Sequence, residues 1–126
     1  VNNINDVSTA IKTIEPKIDI FMSITDNTVS SASTIIAESL KEAKIPSFAS
    51  EEGPVENGIL VSAGVDYVEL GMKAAGMASD ILGGKAVKDI PVLFSSDTSK
   101  VVNKKTAEAL GLEDDKNLMD NAKVVE

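Results

Sequence analysis

Three polar clusters in this chain each follow an apolar run, and together they hold most of the residues that could do chemistry. They are Thr25-Asp26-Asn27 after Ile18 to Ile24, Glu51-Glu52 after Ile45 to Ala49, and Asp66-Tyr67 after Ile59 to Val65. In an α/β sheet the carboxyl ends of parallel strands, facing helix N-termini, form the crevice where small ligands bind. Three such strand ends are expected to converge on one ligand. The chemistry on offer is recognition: the carboxylates can pair with an amine or accept from hydroxyls, and Tyr67 can stack. Each cluster also has a plainer use. Asp26 and Asp66 suit helix caps, Glu51-Glu52 suits a solvated turn, and Tyr67 suits a core edge. Three capping residues in a row exceed what one cap requires, so one of Thr25, Asp26 and Asn27 is expected to face the crevice. Adjacent side chains point apart, so at most one of Glu51 and Glu52 is expected to reach a ligand.

Composition removes most catalytic alternatives. Among 126 residues there is no histidine and no cysteine, which excludes imidazole-based triads, thiolate nucleophiles, disulfides and the common transition-metal sites. Neither G-x-x-x-x-G-K nor G-x-G-x-x-G occurs, so the glycines are punctuation and not a phosphate loop. The acidic set could hold a hard cation, but no Asp-x-Asp-x-Asp spacing supports a calcium loop. No catalytic residue, metal or cofactor is therefore expected. A net charge of −8 with no arginine argues against nucleic acid and against an anionic membrane surface. No run approaches the eighteen or so apolar residues of a membrane span. The first residue is Val1 and polar residues follow, so any targeting signal is expected upstream of this sequence.

The elements that must position these clusters read as one α/β domain. Val7, Ala10, Ile11 and Ile14 predict a first helix, capped by Asn5 or Asp6 and stopped by Pro16. Ile18 to Ile24 predicts a strand buried on both faces. A single helix is expected next, its stripe formed by Val29, Ala32, Ile36, Leu40 and Ala43. Ile45 to Ala49 and Ile59 to Val65 predict the second and third strands, with at most one helical turn between them. Leu70, Ala74, Met77 and Ile81 predict a helix over Tyr67 to Leu82, ended by Gly83-Gly84, with Gly71, Ala75 and Ser79 allowing close approach of another backbone. Ile90 to Phe94 reads as a fourth strand, Val101 to Asn103 as a short extended piece, and Thr106 to Leu110 and Asp114 to Ala122 as two small helices.

The order of motifs is more specific than any one of them. T-D-N-T at Thr25 to Thr28, A-K-I-P at Ala43 to Pro46, E-E-G at Glu51 to Gly53, G-V-D-Y-x-E-L-G at Gly64 to Gly71, D-I-P-V, and V-V-N-K-K-T-A-E-A-L-G-L at Val101 to Leu112 span nearly the whole chain. This series resembles the ABC-transporter substrate-binding proteins of the tryptophan/tyrosine-transport type. The resemblance implies a type I periplasmic-binding-protein fold, two Rossmann-like three-layer lobes with parallel sheets and a ligand between them, in proteins of roughly twice this length. By it, residues 2–65 and 97–126 belong to the second lobe, 66–96 to the first, and the rest of the N-terminal lobe is missing. Thr25, Asp26, Asn27, Glu51, Glu52 and Asp66 fall where such proteins place second-lobe ligand contacts, and Tyr67, able to stack on a ligand, is expected beside them.

The resemblance further implies solute recognition for an ABC importer, with permease subunits as partners and an extracytoplasmic location, periplasmic or as a cell-surface lipoprotein. The ligand would be an amino acid, aromatic ones included: its ammonium would pair with an acid, and its carboxylate, lacking an arginine, would use backbone N–H groups near Thr28. The exposed helix Tyr67 to Leu82 and the Ile90 to Phe94 segment are expected to draw two copies of the chain into a homodimer. The alternative function is the effector-binding domain of a bacterial transcription repressor of the same fold. A free-standing flavodoxin-like or receiver-like module lacks a suitably placed lysine.

Overall fold

The computed structural model describes residues 3–94 and 98–126. Helix α1 (Ile4–Ile14) runs into a 3₁₀ turn at Glu15–Lys17, where Pro16 withholds a helix donor. The cap falls earlier than expected, at Asn3, whose Oδ1 accepts the Asp6 N–H at 3.1 Å, and positions 5 and 6 lie inside the helix. After β1 (Phe21–Ser23), the single helix expected from the sequence is two, α2 (Asn27–Ser31) and α3 (Ser33–Glu42), interrupted at Ala32. Serine causes the break. The Ser31 and Ser33 hydroxyls donate to the carbonyls of Asn27 and Ser30, each at 2.7 Å, and so compete with the helix ladder.

The next elements follow the sequence closely: β2 (Ser47–Ala49), the single turn α4 (Gly53–Glu56), β3 (Val61–Val65) and α5 (Tyr67–Leu82). Beyond α5 the expectations are corrected. Ile90 to Phe94 is not a strand, because Pro91 lacks a donor and no described strand runs beside it. The fourth strand is β4 (Thr98–Asn103), longer than the short piece expected. Helix α6 (Lys104–Leu110) follows, and the second small helix shrinks to α7 (Lys116–Met119) before β5 (Lys123–Val125).

The five strands form one sheet in the order β1-β2-β3-β4-β5. β1, β2 and β3 are parallel, β4 is antiparallel to β3, and β5 is parallel to β4. The fold is therefore α/β with a mixed sheet, not a purely parallel one. The antiparallel junction arises because the chain leaves the sheet after Val65 and re-enters beside it: Val65 pairs with Thr98. The expected start of the second lobe, Asn2, and the expected point of return, Asp97, lie outside the described residues.

Successive strand residues face opposite sides, and β4 shows it: Val101 joins one core cluster and Val102 the other. The larger cluster packs Val7 and Ile11 of α1, Ile36 and Leu40 of α3 and Val55 of α4 over Ala49 and Val101. The smaller one packs Ala107 and, at its margin, Leu110, Leu118 and Met119 around Leu60 and Val102. β1 is not buried on both faces. Phe21 and Ser23 turn towards α1 and α3, whereas Ile20, Met22 and Ile24 are exposed.

Candidate ligand-binding site

The parallel strands β1, β2 and β3 end at the same edge of the sheet, and each end runs into a helix: α2, α4 and α5. Direct bonds bring the first two polar clusters together. The Ser50 N–H donates to the Ser23 carbonyl at 3.1 Å, and the Thr25 and Ser50 hydroxyls lie 3.0 Å apart. Ser30 on α2 donates its hydroxyl to Glu51 Oε1 at 3.0 Å. The third strand end fits beneath this loop because residue 64 is glycine. A Cβ there would lie 2.0 Å from the Ser50 carbonyl oxygen, closer than any side chain allows.

Asp26 and Asp66 are both helix caps. Asp26 Oδ1 accepts from the N–H groups of Thr28 and Val29 at 2.9 and 3.0 Å, and Asp66 Oδ1 accepts from Val68 and Glu69 at the same two distances. Each cap occupies one carboxylate oxygen, and both residues are exposed, so the second oxygen of each is presented at the rim. This corrects one expectation. The backbone N–H groups near Thr28, where a ligand carboxylate was expected to bind, include those of Thr28 and Val29, which already donate to Asp26.

Glu51 and Glu52 diverge as adjacent side chains should, and both are engaged: Glu51 by Ser30, Glu52 by the ammonium of Lys123 on β5. Lys123 is the residue of this region that sequence reasoning missed, since nothing in Lys123–Val125 announces a strand. Its hydrogen bond to Glu52, then the charge of that carboxylate, with smaller contributions from Glu56 and Asp66, hold its pKa above the ordinary lysine value. Asn27 is exposed and lends its carbonyl to Ser31, and Tyr67 stands exposed on the first turn of α5. A polar hollow of about 300 Å³, lined by Gly58, Asn103 and Thr106 among others, lies at the opposite end of the β3–β4 pair, away from every expected ligand contact. Among the described residues no cluster of acids is arranged to hold a metal ion, and no helix is long and apolar enough to cross a membrane.

This geometry is a rim of hydrogen-bonding groups and acids on a fixed sheet edge, suited to binding a small polar molecule. Comparisons with known proteins find relatives that cover nearly all of the chain. The tyrosine-binding protein of Clostridioides difficile (strain R20291) is 39% identical over 113 residues, which is 90% of this chain and 33% of that protein. The ligand-free, open structure of a substrate binding protein with adhesive properties from Clostridium difficile matches all of this chain and 42% of its own, with 40% identity and a TM-score of 0.80. An ABC domain from Streptococcus pneumonia in complex with L-Trp matches all of this chain and 44% of its own, with 28% identity and a TM-score of 0.82. The chain spans about a third of the length of the curated relatives it matches. The model of the ABC transporter substrate binding proteins matches residues 1–126, and the chain belongs to that family.

Proposed function

We propose that this chain supplies one side of a ligand cleft that recognises an amino acid, aromatic ones included, for an ABC importer outside the cytoplasm. The observation that carries the reading is the joining of three strand ends at one rim, where Asp26 and Asp66 each keep a carboxylate oxygen beyond the one used in capping. Those oxygens suit a ligand ammonium, with Thr25, Asn27 and Tyr67 as neighbouring contacts. Glu51 and Glu52 hold the loop between α2 and β5 and act on the ligand less directly. The tyrosine-binding relative and the L-Trp complex support an amino-acid ligand. Family membership favours binding over catalysis, and over the repressor reading.

In a chain of the relatives' length, residues 66–96 cross to the other lobe, a reading supported by the pairing of Val65 with Thr98 on either side of that segment. Half a cleft binds weakly, so the 126-residue chain should bind only in about the millimolar range. Titration of the isotope-labelled chain with L-tyrosine and L-tryptophan should shift the amide signals of Thr25 to Asn27 and of Asp66 to Tyr67. Asp26→Asn and Asp66→Asn keep a capping side chain but remove the charge. Joined to the relatives' remaining length, each should weaken binding about tenfold or more, the loss of one charge-assisted bond of roughly 1.5–3 kcal/mol. Unchanged affinity in both variants would return these residues to capping alone.

A further inference from the structure

Asn103 ends β4 at the end of the β3–β4 pair opposite the rim, and its buried side chain makes two bonds. Its Oδ1 accepts the Thr106 N–H at 2.9 Å and caps α6. Its amide nitrogen donates to the Val55 carbonyl, also at 2.9 Å. Capping needs only the first of these. The caps of α2, α5 and α7 are aspartates, which accept but have no amide to donate. The donor to Val55 therefore serves something besides the cap.

Val55 belongs to α4, the single turn that leads from the β2 rim end back to β3, and it is fully buried. Its own N–H donates to the Glu52 carbonyl at 2.8 Å. Two bonds thus run from Asn103 through Val55 to Glu52, across a turn only about 6 Å long. Thr106 fastens the same connection further on, its hydroxyl donating to the Gly58 carbonyl at 2.7 Å. Asn103, Val55 and Thr106 are all more than nine-tenths buried, where a broken hydrogen bond is costly. The tie at the rim itself is open by comparison: the Lys123 and Glu52 side chains are 59% and 36% exposed, and such an ion pair contributes little.

We propose, on the reading of the rim as a ligand site, that Asn103 is a positioning residue: through Val55 it sets where the Glu51–Glu52 turn stands before a ligand arrives. A turn fixed in advance spares the ligand the cost of ordering it, and that saving appears as affinity.

Asn103→Asp keeps the acceptor for Thr106 and removes the donor to Val55; Asn103→Ser does the same without adding charge. Either variant that folds by circular dichroism, isotope-labelled and free of ligand, should displace the amide signals of Glu51, Glu52 and Val55 and speed hydrogen exchange at Val55. Ile11→Val, a core truncation on α1, reports what a general loss of stability does, and it should leave Glu51 and Glu52 in place. The same Asn103 variant should weaken L-tryptophan binding by the chain severalfold, with Thr25 to Asn27 still responding to the ligand. Glu51 and Glu52 signals that stay at their wild-type positions, or that move as far in Ile11→Val, would overturn the proposal and leave Asn103 a cap. So would L-tryptophan binding as tight as that of the wild type. A wild-type chain indifferent to L-tryptophan would count against the ligand reading instead, because the amide comparison is made without ligand.

Discussion

Helices α3 and α5 have similar apolar spacing and opposite fates. α3 buries Ser33, Ile36, Ala37 and Leu40 against the sheet; α5, six residues longer, buries nothing. α5 starts at the rim under an Asp66 cap, whereas α3 follows α2 with no side-chain cap of its own. The difference is whether an apolar face meets a partner element in the same chain. Amphipathic periodicity reports that a face wants covering, and it is silent on what covers it.

The sharpest way to break this comparison is to truncate one side chain in each region. Leu40→Ala, at a site 1% exposed, should lower unfolding stability by about 2–5 kcal/mol, while Leu82→Ala, at 88% exposed, should change it by less than about 0.5 kcal/mol. Chemical denaturation under dilute conditions measures both. Equal losses would mean that α5 is folded against the body of the lobe in solution.

Gly64→Ala tests the rim itself. A Cβ driven into the Ser50 carbonyl must push the β2 and β3 ends apart, at a cost of roughly 1–3 kcal/mol or more. The amide signals of Ser50 and Glu51 should move most in the spectrum of the variant, and a change confined to Gly64 and its neighbours in sequence would contradict the packing described.

Capping is expected to matter next. Asp26→Ala and Asp66→Ala should each cost about 0.5–2 kcal/mol of helix stability, whereas the asparagine variants should stay near the wild type. Hydrogen exchange can assign each loss to its helix. For Asp66 the loss should appear as faster exchange in α5 with little effect on global unfolding, because α5 adds no buried side chain to the core.

The smallest effect belongs to the Lys123–Glu52 pair. A raised folded pKa stabilises the native state fully below the ordinary lysine value, and the contribution is lost as the pH rises through the raised value. The pair is largely exposed, so the effect should be slight. The melting temperatures of wild type and Lys123→Met should differ at neutral pH and converge at strongly alkaline pH, and a difference that persists there would mean the lysine acts through packing.

What the sequence made legible was local. The bounds of α5 followed from Asp66 as cap and Gly83-Gly84 as stop, and the strand–turn–helix order of the first half followed from runs of Ile, Val and Ala broken by polar residues. The break at Ala32 needed the serine hydroxyls, whose competition with the ladder is invisible to a hydrophobic stripe. β5 has only three residues, too few for periodicity, and Thr98 to Lys100 of β4 are polar. At the site, the caps of Asp26 and Asp66 were readable because they join residues two and three apart. The bonds from Ser30 to Glu51 and from Lys123 to Glu52 span 21 and 71 positions, and only the folded sheet brings those partners together.

The pairing of Val65 with Thr98 gives the segment between them a mechanical character. Both of its roots are fixed to neighbouring strands, so whatever grips the segment pulls on one small patch of the sheet. Asp66 and Tyr67 stand on that patch, at the first turn of α5. A rigid helix of sixteen residues extends about 24 Å from its root. A tilt of a few degrees at its far end therefore shifts Asp66 and Tyr67 by a fraction of an ångström, as a long handle turns a short key.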